Sequence, residues 1–203
     1  MTTRHRTLLV LAAIVVILLV IAIYLSRYCP GEGLALTSRA RSLHRLKNRT
    51  ATPHESDFNY QITLGALLKP GDDSYRWSTQ QAARIQGYVV AVAYARPEAT
   101  NGFMPCRRDI HINIAIREGA PQKEQVVVEI TPNFEEWAAK QGWDWSATTL
   151  RTQLVGHWCE FEGWMYFDLG HAEEAENTTP NNASNWRASA WEIHPVTKFR
   201  VIR

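Results

Sequence analysis

Asn185 to Val201 reads NWRASAWEIHPVTKFRV. As a β-strand its side chains alternate between two faces. Glu192 and His194 fall on one face, Trp191 and Ile193 on the other. An acid and an imidazole two apart, backed by a large aromatic, mark the edge of a polar site over a packed core. Two earlier pieces repeat that chemistry: Asp109-Ile-His111 and Asp168-x-x-His171.

Working back from this strand, His157–Asp168, HWCEFEGWMYFD, is another, with Gly163 as a bulge or bend. The polar run between them, 172–185, reads as an exposed loop. Upstream, Ser146 starts a short helix that carries Leu150 and Leu154 and stops at Gly156. A preceding helix opens with Thr131 as N-cap and Pro132 at its first position, runs to about Gln141, and ends at Gly142. Before it, Val126–Thr131 is a strand. Asp109–Ile116, DIHINIAI, alternates strictly, with four isoleucines on one face and Asp109, His111 and Asn113 on the other. The first strand is Ile85–Ala95. In residues 57–80 no period stands out; Pro70–Asp73 is a turn and Trp77 packs at the domain edge. The order β-β-β-α-β-β predicts a mainly β domain, an OB-fold-like five-stranded barrel. A β-sandwich is the alternative, but it has no need of a helical insert at that point.

The barrel core spans about 85–203 within a globular domain of 57–203. Ahead of it lie a tail (1–7), an apolar segment (8–25) and a basic juxtamembrane linker (26–56). Residues 8–25 contain no charge, Gly or Pro, and as a helix of about 27 Å would just cross a bilayer. Tyr24 and Tyr28 stand at its end as interfacial aromatics. The segment is long for a signal peptide, and Ser-Arg-Tyr-Cys is a poor cleavage site, so it reads as a single-pass anchor. The linker's Pro30-Gly31 ends that helix, and its basic stretch 38–49 either lies on anionic lipid headgroups or is solvated. A strict positive-inside count puts the domain in the cytoplasm. An apolar segment so near the amino terminus commonly exports the domain behind it, which tips the reading toward an extracytoplasmic domain.

Residues 1–50 hold eight Lys/Arg against one acid, +7; residues 51–203 hold fourteen against nineteen, −5. An acidic domain lacks the basic footprint of a phosphate-reading protein, which argues against nucleic acid as partner. Of the three cysteines, Cys29 abuts the apolar segment; Cys106 and Cys159 either pair, in an oxidising compartment, or are free. Three sequons, at Asn48, Asn177 and Asn182, matter only in a secretory pathway.

Several motifs together resemble a family of uncharacterised bacterial proteins. They are Gly87-Tyr88-Val89, Arg108-Asp109-x-His111-Ile112, Val128-Glu129-x-Thr131-Pro132, Gly163-Trp164 with Asp168 and His171, and Asn185-Trp186-Arg187 leading into Trp191-Glu192-Ile193-His194-Pro195-Val196-Thr197. The resemblance covers roughly the last 115 residues, and it implies domain identity without an activity. Family members often carry a Cys-containing loop before the Asp-x-His strand; here that loop, EATNGFMPC, keeps only Cys106.

Asp109, His111, His171, Glu192 and His194 would make a metal site if they converged, with Glu129 as a further member. Neutral imidazoles with carboxylates suit zinc or another first-row divalent ion, and an open position would activate water. The competing reading is a structural hydrogen-bond network. Trp164, Tyr166 and Asp168 share a strand face that reads as solvent-facing, and with Arg187 they form a candidate ligand surface for a glycan or protein. These features predict a membrane-anchored binding or scaffolding module, with a metal-dependent hydrolase second and single-stranded nucleic acid binding third.

Overall fold

The computed structural model describes residues 3–27, 37–101, 104 and 106–202. The expectations for Tyr28, Cys29 and Pro30-Gly31 lie outside the described residues. Five strands, β1 (Ala82–Tyr94), β2 (Ile110–Ala115), β3 (Val126–Ile130), β4 (Trp158–Phe167) and β5 (Trp191–Val201), close into a barrel. Their order around it is β1-β2-β3-β5-β4, the OB-like layout. All neighbours are antiparallel except β3 and β5. Parallel neighbours need a crossover. Here it contains two helices, α4 (Pro132–Lys140) and α5 (Ala147–Leu154), followed by β4. Among the described residues three α-helices precede them: α1 (Thr3–Arg27), α2 (Ser38–Lys47) and α3 (Leu64–Leu67).

Closure depends on the length of β1. Its first half, from Ala82 to Tyr88, pairs with β4; its second half, to Tyr94, pairs with β2 across a bulge between Val89 and Ala91. Alternation then sets the core. Ile110, Ile112, Ile114, Val126, Val128, Ile130, Phe161, Met165, Trp191 and Ile193 all point inward and are buried. Gly163 is the expected bulge: the β4–β5 register shifts there. A Cβ on Gly163 would sit 2.2 Å from the Pro195 carbonyl oxygen, so only glycine lets the strands approach. Pro132 opens α4 and Thr131 occupies the N-cap position, but its hydroxyl makes no cap bond. Ser146 does cap α5, accepting from the Thr149 N–H. Trp77 packs against the core as expected.

Three features differ from the sequence reading. First, the basic segment after the apolar helix contains a docked helix. Thr37 Oγ1 caps α2 by accepting from the Ala40 N–H (3.0 Å), and His44, Lys47 and Asn48 are buried against the barrel. Asn48 donates to Asn101 Oδ1 (3.1 Å), and Arg49 donates to the Thr79 carbonyl (2.8 Å). Arg39 and Arg45 stay at the surface. Second, the loop 172–185 is partly buried. Asn177 donates to the Leu67 carbonyl and to Asp73 Oδ2, closing the loop over the segment that carries α3. Of the three sequon asparagines, Asn182 alone is exposed. Third, Cys106 and Cys159 do not pair: Cys159 is a free, buried thiol, while Cys106 is disulfide-bonded elsewhere.

The 25 residues of α1 would extend about 37 Å. From Arg4 to Tyr24 the helix is long and apolar enough to cross a membrane.

Candidate functional site

The polar site lies on the outer face of the barrel, where alternation puts the residues that do not fill the core. His111 leaves β2, Glu129 leaves β3, and Glu192 and His194 leave β5. Asp109 precedes β2 by one residue. Because β3 stands between β2 and β5, Glu129 is central: it is the register partner of His111, and its neighbour Val128 pairs with Ile193. Glu129 Oε1 lies 2.9 Å from His111 Nε2, and Glu129 Oε2 lies 3.1 Å from His194 Nδ1. Glu192 Oε1 is also 3.1 Å from that Nδ1, and Asp109 Oδ2 is 3.8 Å from His194 Nε2. One ring nitrogen carries at most one proton and cannot satisfy both glutamates.

This face is sealed. Lys47, at the end of α2, puts its ammonium 2.6 Å from Glu98 and 3.7 Å from Asp109. Asn101 donates to Asp109 (3.3 Å). From the loop before β5, Arg187 donates to Glu192 (3.2 Å) and Asp168 (3.4 Å), with its guanidinium 4.2 Å from the Trp186 ring. Asp109, Glu129, Glu192, His194 and Arg187 are each at most 1% exposed.

Five carboxyls (Glu98, Asp109, Glu129, Asp168, Glu192) therefore face two fixed cations, Lys47 and Arg187. The excess negative charge appears in the titration. Burial, with Glu129 and Glu98 nearby, pushes Asp109 up to about 8 against the pull of His194 and Lys47. Burial, Glu129 and Asp168 raise Glu192 well above the ordinary carboxylate range. Glu129 goes the other way: burial is outweighed by His111, His194 and Lys47, and it is held well below that range. Burial would lower Lys47, but Glu129, Asp109, Glu98 and Glu192 hold it well above an ordinary lysine. Burial lowers His194, outweighing the pull of Glu129 and Asp109. For His111, Glu129 overrides burial and raises it.

The structure brings Asp109, His111, Glu192 and His194 together, and adds Glu129 at the centre. It does not bring in His171, whose Nδ1 is 2.5 Å from Asp168 Oδ2 and whose ring meets the edge of Trp186. Trp186 in turn stacks on His111, 6.5 Å between centroids. The proposed ligand surface is not solvent-facing. Tyr166 is buried, 5.6 Å from the His194 ring. The Trp164 indole donates to the Ala51 carbonyl (2.8 Å), with Arg49 above the ring. Arg187 is committed to two carboxylates and is not open to an outside anion.

An open site exists elsewhere. A groove of about 810 Å³ runs between the α4–α5 connection and the outer edge of β4 and β5. Trp137, Trp143, Trp145 and Phe199 wall it, and Asp144, Gln153, Glu162 and Lys198 edge it. Trp143 and Trp145 lie nearly parallel (14°, 6.3 Å), and Trp143 is 53% exposed. The sequence alone does not pick these tryptophans out, because Trp143-Asp-Trp145 sits on a connection with no strand or helix period to orient it. No family model matches the chain, and no curated protein matches it.

Proposed function

We propose that this protein is a membrane-anchored OB-like binding module whose ligand surface is the tryptophan groove, and that the ligand is a glycan of low charge. The observation that carries this reading is the pair of near-parallel indoles, one of them half exposed, at the wall of an open groove. Flat indole faces accept the C–H faces of sugar rings, while Asp144, Gln153, Glu162 and Lys198 offer donors and acceptors to ring hydroxyls. Lys198 is already paired with Glu162 (3.4 Å), so the rim carries no free basic cluster to attract a polyanion. OB barrels bind oligosaccharides as well as oligonucleotides, and the acidic domain disfavours the latter.

The apolar span of α1 supports anchoring, and the disulfide at Cys106 supports an oxidising, extracytoplasmic compartment for the barrel. The sealing of the outer-face cluster weighs against hydrolysis there, since a substrate would have to enter a site whose acids are at most 1% exposed.

The test is a tryptophan-fluorescence titration of the detergent-solubilised chain with neutral chito-oligosaccharides. Saturable quenching is expected in the wild type. Trp143→Ala, a change at an exposed side chain that should leave the fold intact, is expected to weaken binding at least tenfold, as loss of a central aromatic anchor does. A wild type that binds no oligosaccharide, or a Trp143→Ala variant that binds as well as the wild type, would overturn the reading.

A further inference from the structure

The groove leaves the buried outer-face cluster without a role. Asp109, Glu129 and His194 each offer one ligand atom, and these atoms lie within 4.8 Å of one another. A second, independent feature is shared by all three residues, as it is by some others in the domain, the neighbouring Arg187 among them. Each carries a buried polar atom that makes no hydrogen bond: Asp109 Oδ1, His194 Nε2, and Glu129 Oε2, whose 3.1 Å neighbour His194 Nδ1 is bonded to Glu192 instead. Buried polar atoms are normally satisfied, and leaving one bare costs about 1–3 kcal/mol. Three bare acceptor-capable atoms from three converging residues on three different segments form a site waiting for a shared cation.

We propose that Asp109, Glu129 and His194 bind one first-row divalent ion of the zinc–manganese kind, in a closed site beneath α2. Two carboxylate oxygens and one imidazole nitrogen are the donors. That set is too nitrogen-bearing for calcium and has no thiolate for copper(I). The surroundings are those of a metal site. Glu192 lies beside Nδ1 of His194, placed to orient the ring. His111 holds the other oxygen of Glu129. Lys47 makes its short contact with Glu98 and stands 3.7 Å from Asp109, whose Oδ2 accepts from Asn101 (3.3 Å), so the bare Oδ1 is the oxygen that can turn to an ion. The ion would cancel the excess of carboxyls over fixed cations on this face. It would also tie three segments of the sheet together under the helix that leads from the anchor. Closed on all sides, the site is structural and gives substrate no entry.

The experiment is a cobalt(II) titration of the metal-stripped full chain in detergent, followed by competition with zinc and manganese. Cobalt is the probe because its visible spectrum reports coordination directly. The expected result is one equivalent bound, with an absorption distinct from that of the hydrated ion and abolished by one equivalent of zinc. Asp109→Asn and His194→Gln are each expected to lower affinity at least 100-fold, and His171→Ala to leave it unchanged. No stoichiometric binding by the folded wild type would overturn the proposal. So would binding retained in folded Asp109→Asn and His194→Gln, or binding lost in His171→Ala. If the two ligand variants fail to fold, the wild-type spectrum decides: bound cobalt that keeps the hydrated-ion spectrum counts against the site.

Discussion

Arg187 shows how much a single side chain holds on the sealed face. It is fully buried and stands between Asp168 and Glu192. Removing one partner of a buried pair strands the other charges and costs about 3–5 kcal/mol. Arg187→Met should therefore lower stability by about that much in urea unfolding, and a loss below about 1 kcal/mol would show that the pairing is unimportant. The neighbouring Asp168–His171 pair adds a pH dependence. Burial raises Asp168, but the bond from His171 and the charge of Arg187 win and lower it below 3.8. The same bond to Asp168 raises His171 above 6.5. A lowered carboxyl stabilises the fold above its unfolded pKa and loses that effect as pH falls through the folded one. A raised imidazole stabilises below its unfolded pKa and loses the effect as pH rises through the folded one. The pair thus favours the fold most from about pH 4 to 6.5. His171→Ala should flatten the decline in melting temperature on the alkaline side, and an unchanged pH profile would remove this pair as its source. Much of this chemistry was readable: the Asp-x-His and Glu-x-His spacings located four of the central residues. Glu129 carried a plainer signal, one acid in a run of valines, and its central place depends on β3 lying between β2 and β5, which no local pattern reveals.

Among the elements, strand alternation was the most readable feature, because a period of two is set by backbone geometry alone. What alternation cannot say is whether the outer face meets water or protein. Glu192 and His194 sit on the predicted face, yet both are fully buried because α2 and the loop before β5 lie over them. The basic run of α2 was equally visible, but its charges were assigned to lipid or solvent rather than to the acids of its own domain. Lys47 is where that assignment differs. Lys47→Ala should release α2, because Glu98 and Asp109 would lose their cation; we expect fast hydrogen exchange across Ser38–Lys47 and a loss of about 3 kcal/mol. Slow exchange in the variant would mean that α2 is held by other contacts, such as Asn48 on Asn101. The β4–β5 bulge offers a sharper case. In Gly163→Ala the new methyl would meet the Pro195 carbonyl at 2.2 Å, a backbone atom that cannot rotate away. The strands must part there, and a loss of about 3 kcal/mol is expected, toward the upper end for overpacking. A variant as stable as the wild type would show that the bulge can relax.

For the molecule as a whole, composition divides the chain into a basic amino-terminal quarter that contains an apolar span, and a mildly acidic remainder large enough for one core. For the proposed anchored form, charge counts and cysteine chemistry point to opposite sides of the membrane. A positive-inside count points to the cytoplasm, whereas a disulfide at Cys106 needs an oxidising compartment. The proposed extracytoplasmic placement rests on the disulfide, since the basic residues of α2 that enter the charge count are partly engaged by the barrel. Thiol counting tests this directly. Cys159 is buried, and burial pushes its thiol up to about 11, so the native protein should resist maleimide at neutral pH. Unfolded without reductant, the chain isolated from membranes should show Cys159 reactive and Cys106 blocked; reduction should expose all three cysteines of the sequence. Three reactive thiols before reduction would mean that the chain matured in a reducing compartment. The barrel, and with it the tryptophan groove, would then face the cytoplasm, and the ligand would have to be sought there.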